Sequence, residues 1–332
     1  MHKVSRAVVG LVGLVTVAGM VAGCGKAGSS GTAAPSAVAA GGCAPVAGQQ
    51  LVVLDDDKHL QNTDNVIPAI NSKAATPELI AALNKVSAAL DTPKLVALNK
   101  ATDIDHKSSA AAAADFAQSA NLTSGITKGS GGNIVIGAAN FSENQTLAEL
   151  YKIALTAAGF NATTQTIGNR ELYEPALEQG QIQVVPEYAA TLAEFLNGKV
   201  KGPSASPAAS SDLNTTVSAL KSLGQQKGLT FGDASQAADE NAFAVTKATA
   251  DKYQLKTLSD FASKCSGKDS VLGGPPECPQ RPFCQQGLES KYSITFGSFK
   301  SLDSGGNLTK TALTGGQITI GLVFSSDASL AS

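Results

Sequence analysis

The sequence predicts an α/β fold built on a largely parallel sheet. Three observations lead there. Strand-like and helix-like segments alternate between residues 134 and 185, and a second set of them follows between 241 and 324. Apolar residues make up 43% of the 332, enough to bury a core in one large or two medium domains and too many for wholesale disorder. Charged residues are 16%, 25 basic against 27 acidic, with no basic stripe, so nucleic acid is not an expected partner.

Each element has a local cause. The apolar run at 50–54 precedes three Asp and reads as a buried strand; 66–70 is a second extended segment. Thr76-Pro77-Glu78 starts a helix, with a hydroxyl cap, Pro in the first turn and an acid near the N-terminus. Leu79, Leu83, Val86 and Leu90 then recur at helical spacing. Thr92-Pro93 restarts a second helix through Leu95 and Leu98, and the Ala-rich stretch 109–120 reads as a surface helix anchored by Phe116. Residues 123–132 (TSGITKGSGG) lack any period and read as a linker. A strand at 134–137 leads through Asn140 and Phe141 into a helix with Leu147, Leu150, Tyr151, Ala154 and Leu155 on one face, closed by Gly159. A strand at 163–167, a helix at 173–177 and a strand at 181–185 follow, and 203–211 is a loop. The second set has strands at 241–245, 271–272 and 318–324 and helices at 258–261, 288–292 and 308–313. It stops at Ser332 without a further strand, while the strand at 51–54 has no partner of its own in the N-terminal half.

The first residues read as an address label. His2, Lys3 and Arg6 precede an apolar run too short and Gly-rich for a good membrane span. The run ends in Val21-Ala22-Gly23-Cys24, small residues directly before a Cys, which is what a lipoprotein signal peptidase reads. Residues 1–23 are therefore expected to be a signal peptide, Cys24 the lipid-bearing mature N-terminus and 24–42 a flexible tether. The plainer alternative is a secretory signal with an incidental Cys. Export permits disulfides. The remaining cysteines, Cys43, Cys265, Cys278 and Cys284, fit two bridges, with three pairings possible. Cys278 and Cys284 flank a short loop and are the first pair to consider, leaving Cys43 with Cys265; a zinc site is the poorer alternative, since no His is near.

Residues 134–198 resemble the front of the osmoprotectant-type substrate-binding proteins of ABC importers, through IVIGAANFSENQTLAELYKIALTAAGF and IGNRELYEPALEQGQIQVVPEYAATL. Residues 241–327 resemble that family's middle (NAFAVTK, LGGPPECPQRPFCQQGLE, IGLVFSSDA), and 51–104 its tail (LVVLDDDKHLQNTDNVIPAI and two helices). The order is permuted: the tail stands before the head, and joining Ser332 to Leu51 restores the usual run. The segment 123–132 then links the family's usual termini, a change that termini lying close together at a surface tolerate. The resemblance implies a two-lobe, type II periplasmic-binding-protein fold, circularly permuted. Lobe one is expected at 66–240 and lobe two at 43–65 and 241–332, with crossings at 241–246 and 66–71.

The resemblance also implies the site. Family members hold glycine betaine, choline or carnitine, the quaternary ammonium lying in a box of aromatic rings whose faces attract cations. Tyr188 stands at one box position, Phe324 replaces a second Tyr, and Asn241 and Asp64 stand at the other two. Thr191 matches a hydroxyl for the ligand's polar end, and Arg281 an arginine that forks onto a ligand carboxylate. Asn140, Phe141 and Asn144 sit at the strand-to-helix turn facing the cleft, Asn144 in place of a Gln. Blander readings stand beside these: Tyr188 and Phe324 as core, Asp64 as a turn or cap residue, Arg281 in an ion pair within lobe two. With two box positions not aromatic, the expected ligand is a cation or carries polar N–H groups; were it a quaternary amine, Phe141 or Phe243 would have to supply rings. Nothing positions a nucleophile or a metal-ligand set, so no enzyme, cofactor or metal is expected. The expected protein is a monomeric receptor, lipid-anchored on the extracytoplasmic face, serving an ABC permease and ATPase. A ligand-sensing lipoprotein not coupled to transport is the alternative.

Overall fold

The structure, a computed structural model, describes residues 41–330. The leader, Cys24 and most of the tether lie outside the described residues. The chain opens with β1 (Leu51–Leu54), β2 (Val66–Asn71), α1 (Pro77–Ala89), α2 (Thr92–Asp103) and α3 (Ser109–Ser119). It continues with β3 (Asn133–Ala139), α4 (Ser142–Ala157), β4 (Asn161–Gly168), α5 (Arg170–Glu178), β5 (Val184–Tyr188), α6 (Ala189–Lys201), α7 (Leu213–Gln225) and β6 (Leu229–Phe231). After β7 (Asn241–Thr246) come α8 (Lys247–Tyr253), α9 (Leu258–Cys265), β8 (Gly267–Gly274), a 3₁₀ turn (Cys278–Gln280), α10 (Gln285–Tyr292), β9 (Phe296–Ser301), α11 (Asn307–Thr314) and β10 (Ile320–Phe324).

The strands form two five-stranded sheets, β4-β3-β5-β2-β6 and β1-β7-β10-β8-β9. The sheets are mixed rather than largely parallel. In the first, β3 runs parallel to β4 and β5, while β2 runs antiparallel to β5 and β6. In the second, β8 runs parallel to β9 and β10, while β7 runs antiparallel to β10 and β1. The reversed strands, β2 and β7, are the ones that enter each sheet directly from a crossing segment, with no crossover helix to turn them round. Pro68 of β2 and Pro186 of β5 lie directly opposite, so two missing donors fall at one rung.

The sheets define two lobes. In lobe one, Leu79, Leu83 and Val86 of α1 pack with Leu147, Tyr151 and Leu155 of α4 and Ile136 of β3. Each such fully buried side chain contributes about 1.5–3 kcal/mol. The cap of α1 is as expected: the Thr76 hydroxyl accepts from the Leu79 N–H. Helix α3 is more than a surface element, because Ala112, Ala113 and Ala117 are buried in the same core and small methyls let it lie close along α4. The other face of the first sheet is closed by α5, α6 and α7 through Leu177, Leu192, Leu196 and Leu220. Lobe two has its own core of Phe243, Phe261, Leu272, Leu288 and Tyr292. Disulfides join Cys43 to Cys265 and Cys278 to Cys284, both in lobe two.

The crossing lies just ahead of the strands expected to make it. The Val66 N–H donates to the Ala237 carbonyl and the Asp239 N–H to the Asp64 carbonyl, with an antiparallel bridge between Asn65 and Ala238. β2 and β7 themselves belong wholly to their sheets.

Candidate ligand-binding cleft

A cavity of about 610 Å³ lies between the lobes. All the expected site residues line it except Asn144. Asn144 is buried beneath the wall, where its Oδ1 accepts from the Ala139 N–H (2.8 Å) and its Nδ2 donates to the Pro186 carbonyl (2.9 Å). It pins the β3–α4 turn that presents Asn140 and Phe141.

Three rings make a continuous wall. Phe141, at the N-cap of α4, stands 6.3 Å centroid to centroid from Tyr188 and 5.5 Å from Phe324. Phe324 is half-buried and lines the cavity, so it is not a core ring. The loop after β9 passes against it at Gly305, whose φ of 69° suits glycine and where a Cβ would stand 3.1 Å from the ring. Phe243 is in the lobe-two core and takes no part. Tyr188 offers its ring but not its hydroxyl, which donates to Glu143 Oε1 at 2.6 Å.

Asp64 is both a cap and part of the wall. Its Oδ1 accepts from the Ala190 (2.7 Å) and Thr191 (3.2 Å) N–H groups, serving the start of α6, whose own N-cap residue, Tyr188, caps no helix N–H with its side chain. Burial pushes its carboxyl up to about 7, against the opposing pull of the Arg170 charge and these amides. The Thr191 hydroxyl accepts from Arg170 (2.8 Å), and the Asn241 amide donates to the Phe283 carbonyl (3.1 Å), tying the disulfide loop to β7.

Arg281 reaches across the cleft. Its Nε and Nη2 donate to the two oxygens of Glu171 in lobe one at 3.2 and 2.9 Å, and Glu277 of its own loop lies at 3.4 Å. Beside them the Asn169 amide of lobe one donates to Glu277 (3.2 Å). Burial pushes the Glu171 carboxyl up, but the Arg281 hydrogen bonds and charge outweigh it and hold it below the usual value.

Several functional-looking groups were not foreseen. Arg170, at the start of α5, forks onto Glu187 (2.8 and 2.6 Å), which also accepts from the Tyr173 hydroxyl (2.8 Å). An acid inside the apolar strand VVPEY was the available signal: it demands a buried cation. Glu143 accepts from Tyr188, from the Asn99 amide (2.6 Å) and from the Ser326 hydroxyl (2.7 Å), joining both lobes. Asp239 accepts from the Ser326 N–H at 3.0 Å. Both acids are held above their usual range, chiefly by burial and, for Asp239, by the neighbouring charge of Glu143.

Among the described residues no helix is long and apolar enough to cross a membrane, and no cluster of His, Cys, Asp or Glu is built to hold a metal ion. The cleft presents rings, carboxyls and amides to the cavity, and among the described lining residues none is paired with a base as a nucleophile.

No curated protein has a similar sequence. Among solved structures the chain is similar to the unliganded open form of the periplasmic murein tripeptide-binding protein MppA, at 11% identity, TM-score 0.25 and 56% of this chain against 44% of that one. It is similar to Haemophilus influenzae OppA in complex with RPPGFSPFR at 12% identity, TM-score 0.26 and the same coverage. The chain thus spans less than half the length of these two proteins. The sequence profile of the substrate-binding domain of the ABC-type glycine betaine transport system matches residues 44–119 and 132–332. The break between the segments falls at the loop where the permuted order puts the family's usual termini. That family consists of solute-binding proteins, not enzymes, and with most of the sequence matched the chain belongs to the substrate-binding domains of ABC-type glycine betaine transport systems.

Proposed function

We propose that the protein is the extracytoplasmic receptor of an ABC importer, held at the cell membrane by lipid on Cys24. It captures a small osmoprotectant-like compound, a quaternary amine or a related cation or zwitterion, and delivers it as a monomer to the permease and ATPase. The observation that carries this reading is the wall of Phe141, Tyr188 and Phe324, which lines the same cavity between two lobes as several acidic side chains. Ring faces and carboxylates both favour a cation. The crossing segments pair at Asn65 and Ala238, and rotation there opens and closes the cleft.

In this reading 1–23 is a leader, 24–42 a tether, 66–240 lobe one, and 43–65 with 241–332 lobe two, 123–132 joining the family's usual termini. Tyr188, Phe324 and Phe141 hold the cationic end, Asp64 supplies charge when ionised, and Thr191, Asn140 and Asn241 meet polar groups. Asn144 acts by holding the turn. Asn241 and Asp64 accept N–H donors, so the ligand is expected to carry them, and glycine betaine to bind more weakly than it does to relatives with a full ring cage.

Equilibrium dialysis against choline, glycine betaine, carnitine and a wider amine and amino-acid panel tests the reading; absence of binding to every compound would sink it. Cys24→Ala is expected to release the protein from the membrane fraction or leave it held only by an uncleaved leader. Normal processing and lipid labelling of that variant would remove the anchor from the proposal.

A further inference from the structure

Both guanidinium groups that line the cleft are already taken by the protein's own carboxylates. Arg170 is engaged at Nε and Nη2 by Glu187 and gives a further bond to Thr191. Arg281 is engaged in the same two-pronged way by Glu171, with Glu277 at 3.4 Å. The two prongs of Arg281 cross from the disulfide loop of lobe two to α5 of lobe one, and the Asn169–Glu277 bond crosses beside them. This is where a ligand carboxylate would have to enter. It would meet a guanidinium whose planar fork is filled, and would have to displace Glu171 to use it.

The charge around the cavity points the same way. Among its lining residues Glu171, Glu194 and Glu277 stand against Arg170 and Arg281 alone, with no Lys, and Asp64 and Asp239, whose carboxyls burial raises, add acceptor oxygens. A ligand carboxylate would add one more negative group to an acid-rich wall. A cation finds the ring wall and the acids together.

We propose that Arg281 and Glu171 form a clasp across the cleft, and that the ligand is a net cation without a carboxylate. This rests on the cavity being the ligand site. Closure then brings Arg281 onto Glu171 over the bound cation, and ligand acidity is rejected at the clasp.

Calorimetric titration of the purified mature chain with two matched pairs tests it. Choline and glycine betaine share a trimethylammonium head and differ in the carboxylate; agmatine and arginine share a guanidinium and differ likewise. In every pair that binds, the carboxylate-free member should bind tighter than its partner by about tenfold or more. Glu171→Gln frees the Arg281 fork and should narrow that ratio by about tenfold. Arg281→Gln should weaken binding of the carboxylate-free member while leaving the ratio unreversed. A carboxylate-bearing member that binds tighter in the unmodified protein, or a ratio that Glu171→Gln leaves unmoved, overturns the clasp and leaves the receptor reading standing. Silence from all four compounds also overturns it, and the wider dialysis panel then decides whether the receptor reading falls too.

Discussion

Lobe one and lobe two carry sheets of one plan: β4-β3-β5-β2-β6 in the first and, read from the other edge, β9-β8-β10-β7-β1 in the second. In each, two parallel pairings are followed by a reversed strand fed from a crossing. Yet the two are stabilised differently. The helices of lobe one run from 9 residues in α5 to 16 in α4, and they bury both faces of its sheet. Those of lobe two are 7 residues in α8 and 8 in α9, α10 and α11. Short helices bring less apolar area to a core, and lobe two carries both disulfides. Strand order therefore does not dictate the means of stabilisation. The lobe that packs well holds the buried Arg170–Glu187 pair and the Phe141 and Tyr188 rings, while the cross-linked lobe presents its arginine on a loop closed by a disulfide.

The largest expected effect lies in lobe one. Arg170→Met leaves the Glu187 carboxylate buried with only Tyr173 and its neighbour's amide for company. Breaking a buried pair from one side costs about 3–5 kcal/mol. Denaturant unfolding with hydrogen exchange should place that loss in β5, α5 and α6, and Glu187→Leu added to Arg170→Met should recover much of it. Loss spread evenly over both lobes would show that they unfold as one unit. Next comes reduction, or Cys43→Ser with Cys265→Ser. A native bridge of this kind is worth about 2–5 kcal/mol. Exchange should quicken in α9, β8 and β9 while α1 and α4 keep their protection; equal quickening would erase the contrast between the lobes.

How much of this was legible differs by element for physical reasons. α1 announced itself through Thr76-Pro77 and an apolar period, because its cap and its buried face are local in sequence. β9 (FGSFKS) was missed: it is an edge strand with no fully buried residue, so it has no apolar run to show. α7 was missed because its buried face includes Thr216 and Gly224 as well as Leu220 and Leu223. The mixed sheets were read as largely parallel because strand direction depends on how the chain enters from a crossing, which no residue pattern records. At the site, the rings and the disulfide loop stood in contiguous motifs. The buried acids did not: Glu143 meets Ser326 at a separation of 183 residues, and only folding shows that an acid at a helix start is shared between lobes.

A ring from each lobe sharpens the comparison further. Phe141 touches both other rings, whereas Phe324 lies at the edge of the wall. A ring face is worth about 1–2 kcal/mol to a desolvated cation. Phe141→Ala should therefore weaken the tightest-binding cation of the panel by about tenfold or more, and Phe324→Ala by less. Equal losses measured by calorimetry would mean that lobe two contributes as much of the cation site as lobe one.

The smallest effect is one of slope. Asp64 lies at the crossing between the lobes, buried, facing Arg170 on one side and Asp239 on the other. Its carboxyl is raised from 3.8 to about 7, first by burial. An acid raised by folding keeps its proton in the native state over a range where the unfolded chain has lost it. Folding then takes up a proton, and this group's contribution to stability falls as pH rises from about 4 to about 7 and is flat above. Glu143 and Asp239, also raised, act in the same direction. Asp64→Asn keeps an acceptor for the Ala190 and Thr191 amides and removes the proton, so the cap survives. The ligand-free variant should lose less stability than the parent between pH 5 and pH 8, the gap between the two widening as pH rises, measured by thermal unfolding at fixed ionic strength. Matching pH profiles for the two would mean that Asp64 is ionised throughout, with Arg170 holding it charged, and that the crossing carries a fixed negative charge toward the cleft.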